Sequence, residues 1–250
     1  MFRLVRKDKV SSEKIETEVI NGGRISNMKG VNVPETFLKL SSLTKKDLKD
    51  LGVKAIGYQS DAANYEDSLN LVEKISNDFD SIDILVNNAG ITHTPKKMED
   101  ISEEEFDRIF SVNSKSVFLC GKFFVPHMKK ERKGSILNIS STAGLSPRPN
   151  LNWYNATKGW MITATKAMAV ELAPFNVRVN SLAPVAGETP LLKSFLGEDT
   201  PERRNAFLST IPIGRFSTPK DLGNAACYLC SDEASMITGA ILEVDGGRCI

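Results

Sequence analysis

From residue 53 onward the chain alternates short aliphatic, β-branched runs with longer segments whose apolar residues recur at helical spacing. That alternation predicts an α/β fold, a Rossmann-like parallel sheet with helices on both faces, because parallel neighbours need a crossover and the crossover is usually a helix. Strands are expected at 53–59, 82–86, 135–139, 177–181 and 240–244. Helices are expected at 65–79, 103–130, 152–173 and 221–231, with a loop-rich stretch holding two short helices over 183–215. Ser102 followed by Glu105 reads as a capping box that opens the second helix.

The residues with most chemistry follow the run 135–139: Ser140-Ser141-Thr142-Ala143-Gly144, then Tyr154-Asn155-Ala156-Thr157-Lys158. Tyr154 and Lys158 are four apart, so a helix places them on one face. An ammonium beside a phenol favours the phenolate, whose ordinary pKa is about 10, and brings proton exchange towards neutral pH. Ser141 adds a hydroxyl able to hold a substrate oxygen. A Tyr and Lys pair at this spacing is common on ordinary helices, and the serine loop is what sets this one apart. Asn87-Asn88-Ala89-Gly90 after a strand, Val112-Asn113-Ser114, and Glu243-Val244-Asp245-Gly246-Gly247 complete a set of motifs in order.

Together these motifs resemble the short-chain dehydrogenase/reductase family from about Gly52 to Ile250, most of all its glucose-type sugar dehydrogenases and 3-oxoacyl-carrier-protein reductases. The resemblance implies hydride transfer between NAD or NADP and a carbonyl or secondary alcohol. Ser141 would then polarise the substrate oxygen, Tyr154 exchange its proton, Lys158 lower the tyrosine pKa and bind the nicotinamide ribose, and Asn113 hold a relay water. It also implies cofactor contacts at Asp61, Asn87, Ala89, Gly90, Tyr154, Lys158, Pro184, Val185 and Thr189, a substrate lid over 190–212, and a homotetramer seamed by 103–130 and 153–173. The residues alone leave other readings open. Asp61 can cap the next helix, Asn87 to Gly90 can be an ordinary turn, and Asn113 can sit on an exposed helix face.

Residues 1–52 depart from that pattern. The family opens on a strand and a Thr-Gly-x-x-x-Gly-x-Gly turn whose amides approach a pyrophosphate. The nearest candidate, Ile20-Asn21-Gly22-Gly23-Arg24, lacks the third glycine and runs into Val31-Asn32-Val33-Pro34, which does not continue as a helix. The segment instead resembles a fragment of pyruvate kinase, over residues 14–51, carried by Gly22-Gly23-Arg24-Ile25-Ser26-Asn27-Met28-Lys29-Gly30 and by Leu43-Thr44-Lys45-Lys46-Asp47-Leu48. The expected organisation is an atypical segment at 1–52, a replaced first βαβ unit, and a dehydrogenase-like domain at 53–250. A non-catalytic descendant unable to hold a dinucleotide is the alternative, since the glycine-rich loop is absent.

A formal net charge of +1 gives no field for nucleic acid or anionic membrane. No apolar run approaches the roughly 20 residues that span a bilayer. Charges in Met1-Phe2-Arg3-Leu4-Val5-Arg6-Lys7 replace the apolar core of a secretory signal, and a cytoplasmic protein with a small-molecule substrate is expected. Cys227 and Cys230 form a lone C-x-x-C without further ligands, which favours helix packing over a metal site; no metal is expected. His93 and His127 read as structural or surface residues.

Overall fold

The computed structural model describes residues 56–189 and 191–250 in full, together with the backbone of 2–5 and 17–19. Among the described residues six strands form one sheet: β1 (Phe2–Val5), β2 (Thr17–Val19), β3 (Ile84–Asn87), β4 (Gly134–Ile139), β5 (Val177–Pro184) and β6 (Ile241–Val244), in the spatial order β2-β1-β3-β4-β5-β6. The four strands from β3 to β6 are parallel. Between them run helices α1 (Tyr65–Asp78), α2 (Glu103–Phe110), α3 (Ser116–Glu131), α4 (Asn152–Leu172), α5 (Leu192–Leu196), α6 (Pro201–Leu208) and α7 (Pro219–Cys230).

The period of two along the strands explains the layering. Leu85 and Ile136 point into one apolar cluster with Leu71 and Ile75 of α1, Phe124 and Met128 of α3, and Leu172 of α4. Their chain neighbours Val86 and Leu137 point the other way, into a cluster with Leu229 and Cys230 of α7. Both faces are covered, as a parallel sheet requires. Cys230 and its neighbour Cys227 are therefore packing residues of α7, as their spacing suggested. His93 is buried, with Nδ1 2.8 Å from the Thr94 carbonyl.

Two expectations need correction. Residues 56–60 carry no strand, and 53–55 lie outside the described residues; the place beside β3 is taken by β1, antiparallel, with Leu4 opposite Leu85. β1 also pairs with β2 in antiparallel fashion, Leu4 opposite Glu18. The helix expected at 103–130 is not continuous. Its capping box at Ser102 and Glu105 is present, but a π-helical turn at Ser111–Lys115 separates α2 from α3. The segments likened to pyruvate kinase at 22–30 and 43–48 lie outside the described residues.

Candidate active site

The carboxyl ends of β3, β4 and β5 converge on one cavity, the usual binding side of an open α/β sheet. Its volume is about 310 Å³. Ser140 and Ser141 leave β4 at its end, where the Ser140 hydroxyl donates to the Leu182 carbonyl at 2.7 Å and accepts from the Ser181 hydroxyl at 2.8 Å. These bonds lock the rim of β4 onto β5. Ser141 then caps a 3₁₀ turn, Thr142–Gly144, with its oxygen accepting the Ala143 amide at 3.1 Å. Gly144 lets this turn lie directly on α4: a Cβ there would stand 2.7 Å from the Lys158 carbonyl carbon and 2.8 Å from the Gly159 nitrogen.

That contact brings Ser141 and Tyr154 to the wall of the same cavity, where the serine hydroxyl acts on the phenol's proton affinity. Burial pushes the Tyr154 phenol up to about 12; the Ser141 hydroxyl and the Arg148 charge oppose it without prevailing. Burial also lowers the Lys158 ammonium to about 8, and its Nζ donates to the Ile139 carbonyl at 2.8 Å. The expected depression of the tyrosine by its helical neighbour is therefore corrected. Lys158 lies 5.8 Å from the ring centroid of Tyr154, spends its charge on Ile139, and desolvation decides the sign for both groups.

Asn113 sits in the π-helical turn and is fully buried, which removes its exposed-face reading. Its side chain accepts from the Ile91 amide at 2.8 Å and donates to the Ile91 carbonyl at 2.9 Å and to the Thr157 hydroxyl at 3.0 Å. It thus fastens the loop after β3 to α4 one residue before Lys158. Gly90 lies against the same pair: a Cβ would come within 3.3 Å of the Lys158 nitrogen and 3.7 Å of the Asn113 oxygen.

The other expected residues divide. Gly90, Pro184, Val185 and Thr189 line the cavity with Ser141, Tyr154 and Lys158. Asn87 is buried at the end of β3 and donates to Asn138 at 2.8 Å, while its own oxygen has no partner among the described residues. Ala89 packs on the core. Asp61 lies outside the cavity, accepting the Ala63 amide at 2.9 Å in the turn before α1, and the helix cap is Asn64. From the expected lid, Leu192 and Leu196 are buried with Val185 and Phe216, whereas Leu191 and Phe195 face the cavity.

A nicotinamide end fits this surface. Small residues at Gly90, Ala143 and Gly187 leave room beside the Lys158 cation. Four contributors were missed: Arg148, Phe195 as a site residue, Phe207 and Arg248. They come from α5, α6 and two separate loops, and no spacing along the chain relates them.

The family model described as enoyl-(acyl carrier protein) reductase matches residues 32–248. The chain is 42% identical over 198 residues to the 4-formylbenzenesulfonate dehydrogenase TsaC1/TsaC2 of Comamonas testosteroni, covering 79% of each. It is 39% identical over 212 residues to the 3-oxoacyl-[acyl-carrier-protein] reductase FabG of Thermotoga maritima, covering 84% of this chain and 83% of that one. Among solved structures, the 3-ketoacyl-(acyl-carrier-protein) reductase of Brucella melitensis complexed with NADH aligns with a TM-score of 0.76 at 47% identity, covering 82% of this chain and 83% of the other.

Proposed function

Since this chain belongs to the short-chain dehydrogenase/reductase family of NAD(P)-dependent oxidoreductases, we propose that Ser141, Tyr154 and Lys158 carry its reaction on a carbonyl or secondary alcohol substrate. The observation that carries this assignment is one cavity lined together by Ser141, Tyr154 and, on the next helical turn, Lys158. A dinucleotide held there would supply the hydride for carbonyl reduction, or take it up in alcohol oxidation. Gly90, Pro184, Val185, Thr189 and Lys158 would hold its nicotinamide end; the roles of Asn87, Ala89 and Asp61 are contacts further along it.

Ser141 donates to the substrate oxygen and polarises it. With its pKa raised, Tyr154 stays protonated at neutral pH and is poised to give its proton to that oxygen in the reductive direction. Lys158, near 8, can replace that proton, and Asn113 fixes the loop beside it for a solvent relay. Substrates of the 3-oxoacyl thioester or sugar type are consistent with this chemistry, as are the aromatic aldehyde and acyl substrates named for the relatives. A homotetramer seamed by α3 and α4 is the proposed assembly.

For residues 1–52, a separate origin is supported by the missing glycine turn and by the likeness to pyruvate kinase. The family match beginning at residue 32 argues against placing the join as late as 52. A peptide of the natural protein spanning Leu51 to Tyr58 at native abundance would exclude a misassembled sequence.

The test is reduction of carbonyl compounds by the purified protein, followed through consumption of reduced nicotinamide. Tyr154→Phe should lower turnover by at least the ~10² to 10⁴ typical of a positioned acid or base. Undiminished turnover would remove the assignment.

A further inference from the structure

Beyond the reacting residues, the cavity holds two arginines that the hydride-transfer chemistry does not use. Arg148 lies over the rings of Phe195 and Phe207, 5.7 and 5.2 Å from their centroids, and Arg248 lies 4.9 Å from the centroid of Phe207. Phe195 in turn meets the ring of Tyr154 edge-on at 5.3 Å. The two guanidiniums are therefore stacked about one ring, a ring or two away from the reacting phenol.

Neither has a carboxylate partner among the described residues. Arg148 donates to the Phe195 carbonyl at 3.1 Å and Arg248 to the Thr210 hydroxyl at 2.9 Å, which leaves most of each planar fork unspent. Two of the acids of these loops are committed elsewhere. Asp245 accepts the amides of Gly247 and Cys249 at 2.9 and 2.8 Å, and Glu188 pairs with Arg204 at 3.0 Å. Arg148 is partly desolvated and feels the like charge of Arg248, both of which disfavour its charged form. Two like charges held together at a cavity wall without a counter-ion form an anion site in need of its anion.

We infer that Arg148 and Arg248 bind a carboxylate or sulfonate on the substrate, so that the preferred substrate is a planar or aromatic carbonyl or alcohol bearing that anion about one ring away from the reacting carbon. Phe195 and Phe207, which line the cavity, would flank the ring, and the guanidinium forks would take the charged group. This rests on the oxidoreductase assignment for the reacting end, while the anion site itself does not.

The test separates the two. Calorimetric titration of the full-length protein with benzoate, benzenesulfonate and neutral benzamide needs neither turnover nor dinucleotide. The anions should bind at least about tenfold more tightly than benzamide. Arg148→Gln and Arg248→Gln should each weaken the anions by about tenfold with little change for benzamide, and Arg148→Lys should restore only part of the loss. Saturating NAD or NADP should leave benzoate binding in place. Equal affinity for benzoate and benzamide, or displacement of benzoate by the dinucleotide, would overturn the inference, the second by making the arginines a phosphate site. In turnover, the ratio of kcat/KM for 4-formylbenzoate to that for 4-formylbenzamide should fall about tenfold in Arg248→Gln. Active enzyme whose ratio does not move would overturn the anion site and leave the oxidoreductase assignment standing.

Discussion

Lys158 and Tyr154 share a helix face, yet burial moves their proton affinities in opposite directions, the ammonium down to about 8 and the phenol up to about 12. The lysine therefore deprotonates before the tyrosine, the reverse of what the bare pair suggests. Spacing along the sequence identifies the pair, but the sign of each shift depends on desolvation, which only the packed cavity supplies. The lysine shift has a consequence for stability. Between about 8 and the ordinary 10.5 the unfolded chain holds a proton that the folded chain has released, so this group makes stability rise with pH across that window. Tyr154 acts with the opposite sign, and only above 10. Urea midpoints measured from pH 8 to 10 should thus climb more steeply in the unmodified protein than in Lys158→Met, which keeps the apolar stem and removes the titration. Parallel slopes in the two proteins would refute a depressed lysine.

The serine turn and α4 work as one unit because Gly144 has no side chain to separate them. Its missing Cβ would strike helix backbone at 2.7 and 2.8 Å, atoms that cannot swing aside as a flexible side chain can. Gly144→Ala should cost about 1–3 kcal/mol by denaturant unfolding, as overpacking does. It should also lower turnover, because the turn that carries Ser141 must lift away from Tyr154. Full activity with unchanged stability would mean that the seam is looser than described. At this scale the sequence was legible wherever hydrophobic period or capping chemistry marks an end. The Ser102 capping box, α4, and the two short helices of 183–215 are examples. It was not legible at 111–115, where a π turn adds a residue to the coil without changing the apolar pattern, and so turns Asn113 inward onto Ile91 and Thr157. Nor could it foresee Arg148, Phe207 and Arg248 as neighbours, since tertiary folding alone gathers them.

For the whole molecule, the parallel order of β3 to β6 follows from alternation along the chain, whereas the antiparallel β1 beside β3 does not, because pairing direction leaves no trace in composition. The covered sheet also leaves apolar side chains facing outward on the two long helices. Phe118 of α3 is 56% exposed, and Trp160 and Val170 of α4 are 39% and 79% exposed. Light scattering should accordingly give a four-chain particle, and Val170→Glu should shift it to smaller species; a single-chain mass for the unmodified protein would refute the proposed seams. The packing of the thiols has a different outcome. Cys227 and Cys230 are raised to about 12 and Cys249 to about 11 by burial, and burial also pushes Cys120, wholly enclosed, well above the ordinary thiol value. A thiolate is the reactive species, so a thiol-specific dye should modify Cys120 and Cys230 only in molecules that have opened. The rate of labelling would then act as a clock for rare excursions out of the native state, legible without any denaturant.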